Sequence, residues 1–110
     1  KTLVAQGTSK ELYVFVIPVA EELDLKNAAK IAGEKKVEMI AVKDILKYTG
    51  YIRGGCSPIS LKRDYRTFIH ESAKGLDFII VSAGKIGHQI KMNPKDLLNV
   101  VEGEFAFLIK

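Results

Sequence analysis

Residues able to do chemistry are few in this sequence, and they fall near glycines. Cys56 is the single cysteine, and His70 and His88 are the two histidines. Ser57 and Ser82 raise a Ser-His-Asp reading, but no spacing ties either serine to either histidine. A cysteine nucleophile needs a neighbouring base or cation. Cys56 stands between Gly55 and Ser57, which reads more simply as a small, half-buried residue. Both histidines read as ordinary hydrogen-bonded side chains. So short a list of soft ligands argues against a zinc site, and no cofactor is expected.

The glycine-bearing loops are better candidates. Gly54-Gly55 followed by Ser57-Pro58, and Gly84-Lys85-Ile86-Gly87, let the backbone come close to a ligand. Bare N–H groups of that kind hold a carbonyl oxygen, a developing oxyanion or a phosphate. Neither loop has the spacing of a P-loop or a dinucleotide fingerprint. All the arginines (Arg53, Arg63 and Arg66) lie in one stretch that carries +3 once Lys62 and Asp64 are counted. Their planar forks suit phosphate, and the stretch reads either as the basic rim of a pocket or as a solvated loop. On these residues alone the chain has a small-ligand pocket with backbone donors, and the ligand has no name.

The elements that must position these loops follow from hydrophobic periodicity. Lys1 to Ala5 and Leu12 to Val19 read as strands joined by a turn at Gly7-Thr8-Ser9. Leu12, Val14 and Val16 alternate with Tyr13, Phe15 and Ile17, so both faces are apolar and a central strand is expected. Asp24 offers an N-cap to a helix with Leu25, Ala28, Ala29 and Ala32 on its apolar face, and Gly33 stops it. Val37 to Ile40 is a short strand. Lys43 to Tyr48 is a short helix expected to turn Val42, Ile45 and Leu46 to the core. The stretch from Thr49 to Ser60 has no period and reads as a loop. Thr67 to His70 and Phe78 to Ser82 are strands, the second expected to be buried on both faces, and His88 to Met92 is another. Asn93 and Pro94 start a helix with Leu97, Leu98 and Val101 inward, ended by Gly103; Glu104 to Ile109 is the last strand. The fold class is therefore α+β: a mixed, mostly antiparallel, barrel-like sheet of about seven strands with short flanking helices.

Composition sets the outer limits. The 110 residues suit one domain, and 47% apolar with 27% charged residues is ordinary for a globular chain. The longest apolar run, Leu12 to Ala20, is broken by Pro18 and falls well short of the roughly 20 residues that span a bilayer. No secretory leader is read at the start. The lone cysteine suits a reducing, cytoplasmic setting. A net charge of +4 is compatible with a polyanionic partner.

Longer motifs resemble a known family. Lys1-Thr2-Leu3-Val4, Pro18-Val19-Ala20 running into Leu23-Asp24-Leu25-Lys26, and Lys35-Lys36-Val37-Glu38-Met39 are similar to segments of the YbaK/EbsC aminoacyl-tRNA deacylases. The most specific matches are Thr49-Gly50-Tyr51 with Gly54-Gly55-Cys56-Ser57-Pro58-Ile59, and Val81-Ser82-Ala83-Gly84-Lys85 with Gly87. Together they run in order through essentially the whole chain. The resemblance implies the fold of the editing domain of prolyl-tRNA synthetases, and an enzyme that removes cysteine from Cys-tRNA(Pro), or from Cys-tRNA(Cys), with the substrate's own thiol attacking the ester. It implies catalytic roles for Lys1, on the terminal adenosine or its phosphate, and for Gly54, through its N–H at the substrate carbonyl. Arg53, Gly55, Ser57, Pro58, Ser82 and Gly84 would bind substrate. The partners implied are the aminoacyl-tRNA acceptor end and a prolyl- or cysteinyl-tRNA synthetase, with no membrane. An Ala-tRNA(Pro) deacylase and a non-catalytic tRNA- or synthetase-binding module are the alternatives. Two departures stand out: Ser60 replaces a glycine common in the family, and Gln89 stands where some relatives carry an aspartate. Family members also have a segment ahead of the lysine, so residues 1–110 are expected to form one editing domain lacking its N-terminal part.

Overall fold

The computed structural model describes residues 1–52, 55–59, 61 and 65–110. Its organising element is β2 (Leu12–Val16), whose five residues are all buried. Antiparallel to it runs β1 (Thr2–Gly7), in a register that pairs Val4 with Val14. The hairpin turn puts Lys10 in the left-handed region at φ 79°. Lys1 extends the ladder by one pair, its main-chain nitrogen and carbonyl bonding to Ile17 at 2.6 and 3.0 Å. On the outer edge of β1 lies β3 (Val37–Met39), and on the far side of β2 lies β4 (Arg66–His70), followed by β7 (Glu104–Ala106).

Two features correct the expected architecture. First, β4 pairs parallel to β2, and β7 parallel to β4, so the main sheet is mixed rather than mostly antiparallel. Long connections make this possible: a parallel pair needs a crossover, and that between β2 and β4 carries α1 (Leu25–Ala32) and α2 (Ile45–Thr49). Second, the sheet does not close into a barrel. Its edge strands, β3 and β7, are three residues each, and β5 (Ile79–Ser82) with β6 (Gln89–Met92) forms a separate antiparallel pair.

Alternation along β2 and β4 divides the core. Phe15 and Phe68 stack with centroids 5.7 Å apart beneath Ala28, Ala29 and Ala32 of α1. On the opposite face Val16 and Ile69 meet Val81 and Leu97, the last from α3 (Pro94–Val101). Both long helices are capped where the sequence suggests. Asp24 accepts from the Asn27 N–H at 3.1 Å, and Gly33 closes α1 at φ 79°. Asn93 accepts from the Lys95 N–H at 2.8 Å ahead of Pro94. The last helix ends one residue early, on a left-handed Glu102, and Gly103 then passes so close to β4 that a Cβ there would meet the Thr67 carbonyl at 2.9 Å.

Three expectations about burial fail. Val42 and Leu46 are exposed, and Thr49 is the buried residue of α2. A 3₁₀ turn over Val42–Asp44 precedes α2, and its tighter winding rotates the apolar positions off a common face. Phe78 and Ile80 are also exposed, because the β5–β6 pair has only one side on the core. Leu25 sits at the rim of α1, partly exposed. Among the described residues no helix is long and apolar enough to cross a membrane.

Candidate functional site

A groove of about 600 Å³ runs between the start of β1 and the β5–β6 hairpin. Lys1 and Thr2 form one wall, Ser82, His88 and Gln89 the other, with Met39 and Ile40 at one end and Cys56 entering from the 49–59 loop. Lys1 is placed there by its pairing with Ile17, which fixes its main chain while its side chain is exposed. The hairpin wall is held by its tight turn: the Ala83 N–H donates to the His88 carbonyl at 2.9 Å, and the His88 N–H to that of Lys85 at 3.0 Å.

The two glycine loops touch one another. A Cβ on Gly55 would meet the Ile86 nitrogen at 3.3 Å and the Gly84 carbonyl oxygen at 3.4 Å. Gly84, at φ 103°, lies against the Tyr51 ring, where a Cβ would come within 2.8 Å. Gly84 therefore needs glycine for its backbone conformation as well as for space, and a side chain at Gly55 would press on the Gly84–Ile86 backbone. The 49–59 loop is braced from inside. Buried Thr49 accepts from the Tyr51 N–H at 3.0 Å, and the Tyr51 hydroxyl donates to the Ile59 carbonyl at 2.6 Å.

Of the residues singled out from sequence, Lys1 and Ser82 share the groove, and Gly55 and Gly84 pack together behind it. Ser57 and Pro58 are buried, with the Ser57 hydroxyl accepting from the Ile59 N–H at 3.2 Å. The Gly55 N–H donates to the Ile52 carbonyl at 3.0 Å. The expectation that it stands open to a ligand is corrected: Gly55 contributes close backbone packing. Arg53 and Gly54 lie outside the described residues, as do Lys62 and Arg63. Arg66 does not join a basic rim. Its guanidinium donates to the Ala32 carbonyl at 3.1 Å and lies over the rings of Phe68 and Tyr13, at 5.2 and 5.8 Å from their centroids.

The candidate nucleophiles are occupied. Burial pushes the Cys56 thiol up from its ordinary range, and a hydrogen bond with Thr49 offsets part of that rise, so the sulfur is protonated at neutral pH. Ser82 Oγ accepts from the Gly84 N–H at 3.2 Å. His70 is buried, and its Nδ1 accepts from the Leu108 N–H at 3.1 Å, the structural role expected of it. Among the described residues no group of three or more His, Cys, Asp or Glu side chains could hold a metal ion. The groove thus offers a cation, polar hairpin groups and an apolar end. Sequence reading missed that end. Met39, Ile40 and Val42 line it, and the exposure of Val42 is the signal that it serves the groove rather than the core.

Comparison with known proteins places the chain in a family. The model of the aminoacyl-tRNA editing domain family matches residues 1–100. The chain is 51% identical over 106 residues to an Enterococcus faecalis protein provisionally named Cys-tRNA(Pro)/Cys-tRNA(Cys) deacylase EbsC, covering 96% of this chain and 65% of that one. It is 25% identical over 107 residues to YwhH of Bacillus subtilis, covering 97% and 64%. The chain therefore spans just under two thirds of the length of these relatives. Two crystal structures share its fold over 100% of its length. One is provisionally described as a trans-editing enzyme for prolyl-tRNA synthetase (TM-score 0.90, 22% identity, 69% of that chain). The other is the hypothetical protein APE2540 (TM-score 0.92, 20% identity, 73% of that chain).

Proposed function

Because this chain belongs to the aminoacyl-tRNA editing domain family, we propose that it is a cytoplasmic trans-editing enzyme that removes cysteine from Cys-tRNA(Pro), and from Cys-tRNA(Cys). The observation that supports this most is the groove itself, which sets one exposed cation, Lys1, opposite the Ser82–Gln89 wall while Cys56 stays a protonated thiol. A site of that kind suits a substrate that brings its own nucleophile.

In this mechanism the cysteinyl thiol loses its proton and attacks its own ester carbonyl. The carbon–oxygen bond to the ribose then breaks, the ribose oxygen takes a proton, and tRNA leaves with its hydroxyl restored. The strained small-ring thiolactone that departs is opened by water. The protein's part is to bend the substrate, hold its end and stabilise the oxyanion. Lys1 holds the terminal adenosine or its phosphate by a charge-assisted contact. Gly55, Ser57 and Pro58 back the aminoacyl pocket together with Gly84, which packs on Gly55, and Ser82 lines the groove. The resemblance assigns the oxyanion donor to Gly54 and a substrate contact to Arg53. Residues 1–110 act as one editing domain. In this reading the domain takes its tRNA selection from a prolyl- or cysteinyl-tRNA synthetase bound beside it, and a pull-down recovering neither would count against that partnership.

The test is deacylation of two charged tRNAs. Loss of cysteine from Cys-tRNA(Pro) with Ala-tRNA(Pro) left intact is the expected result. Loss of alanine alone would assign the alanyl ester instead, and binding without loss of either would make the chain a tRNA- or synthetase-binding module.

A further inference from the structure

Beyond the groove, the outer face of the β5–β6 hairpin carries Phe78 and Lys91, which the proposed catalysis leaves unused. The register pairs Ile80 with Lys91 and Ser82 with Gln89, and cross-strand partners share a face. Phe78, Ile80, Ser82, Gln89 and Lys91 therefore point outward, while Val81 points to the core. Burial agrees: Phe78 is 47% exposed and Ile80 51%, against 5% for Val81. The Lys91 ammonium rests 4.0 Å from the centroid of the Phe78 ring. An exposed ring capped by a long, flexible cation is a contact that an incoming planar group can displace.

This face is continuous with the groove, since Ile80, Ser82 and Gln89 line it. From Ser82 to Phe78 the strand rises about 13 Å, away from the Ser82–Gln89 wall of the groove. A polyanion whose last residue sits in the groove would run along it, and the chain's net charge of +4 favours such a partner.

We infer that the outer face of the β5–β6 hairpin is a stacking platform for the single-stranded 3′ end of the tRNA, with Phe78 stacking a base and Lys91 pairing with a backbone phosphate. This deepens the deacylase reading and rests on it for the identity of the strand. On binding, the base takes the place of the ammonium on the ring, and Lys91 swings to the phosphate. Aromatic rings accept any base in this way, because every base has a π-face.

The experiment measures fluorescence anisotropy of a labelled single-stranded RNA ending in CCA, with wild type and variants. It is joined to KM for Cys-tRNA(Pro) against KM for the minimal cysteinyl-adenosine ester. Phe78→Ala should weaken RNA binding about tenfold, Phe78→Leu should do the same, and Phe78→Trp should retain affinity. Lys91→Gln should flatten the slope of log affinity against log salt by about 0.7. KM should rise for the charged tRNA and stay constant for the adenosine ester. Unchanged affinity in Phe78→Ala, full affinity in Phe78→Leu, or no RNA binding by the wild type would overturn the platform. Phe78-dependent binding by a protein that cleaves no ester would support the platform and overturn the deacylase reading.

Discussion

Strands β2 and β4 show two different environments on their two faces. Toward α1, Phe15 and Phe68 stack beneath three alanines, and the layer is sealed. Its rim is sealed too: the Glu34 carboxylate accepts from the Tyr13 and Ser9 hydroxyls at 2.5 Å, and Arg66 covers the rings beside it. Toward the hairpin, Val16 and Ile69 meet Val81, but β5 and β6 then leave Phe78 and Ile80 in solvent. A helix can close a sheet face because its side chains cover it continuously. A two-stranded sheet has one covered side only, so its outer side is available to a ligand. The proposed function places binding on the open face, and the sealed face is then the one expected to carry more of the stability.

That contrast can be broken most severely at Phe68. Phe68→Ala should cost about 3–5 kcal/mol, read as a large loss in denaturant midpoint. A loss below 1 kcal/mol would show that the α1 face is not the stabilising one. Gly84→Ala comes next. Its positive φ and the Tyr51 ring both oppose a side chain, so about 1–3 kcal/mol is expected, together with lost activity from a displaced groove wall. Asp24→Ala removes the α1 cap and should cost about 1 kcal/mol without altering activity, measurable by urea melts alongside a deacylation assay.

The smallest effect is one of pH. Hydrogen bonds from Ser9, then from Tyr13, hold the Glu34 carboxyl below the usual carboxylate value of 4.5. A depressed folded value means the contribution is complete above the unfolded value and is lost as pH falls through the folded one. Acid should therefore weaken the sealed face below about pH 4.5, and Tyr13→Phe should diminish that dependence. An unaltered acid limb in urea melts across that range would remove Glu34 from the account.

Much of the sealed face is legible in the sequence. The double alternation of Leu12 to Ile17 marks a central strand, and Asp24, Gly33, Asn93 and Pro94 mark helix ends through their own backbone chemistry. Pairing direction is not legible, because β2 meets β4 across a long crossover and no local signal says which way it runs. The open face reads worst. Val42, Phe78 and Ile80 are apolar and so resemble core residues, and only the 3₁₀ turn and the separation of β5–β6 from the main sheet turn them outward. Arg66 looks like part of a basic rim until its stacking on Phe68 is seen. The two glycine loops are found from their own residues and Lys1 through the family resemblance, while the meeting of the loops, Gly55 against Gly84, is a tertiary fact.

The central claim is that the open side is an editing site organised around Lys1. Single-turnover cleavage of Cys-tRNA(Pro) by wild type and Lys1→Ala tests it most directly. A lost charge-assisted contact is worth about 1.5–3 kcal/mol, so the variant should be slowed roughly 10- to 100-fold with its fold intact. Equal rates in the two proteins, or an intact cysteinyl ester with both, would contradict the account.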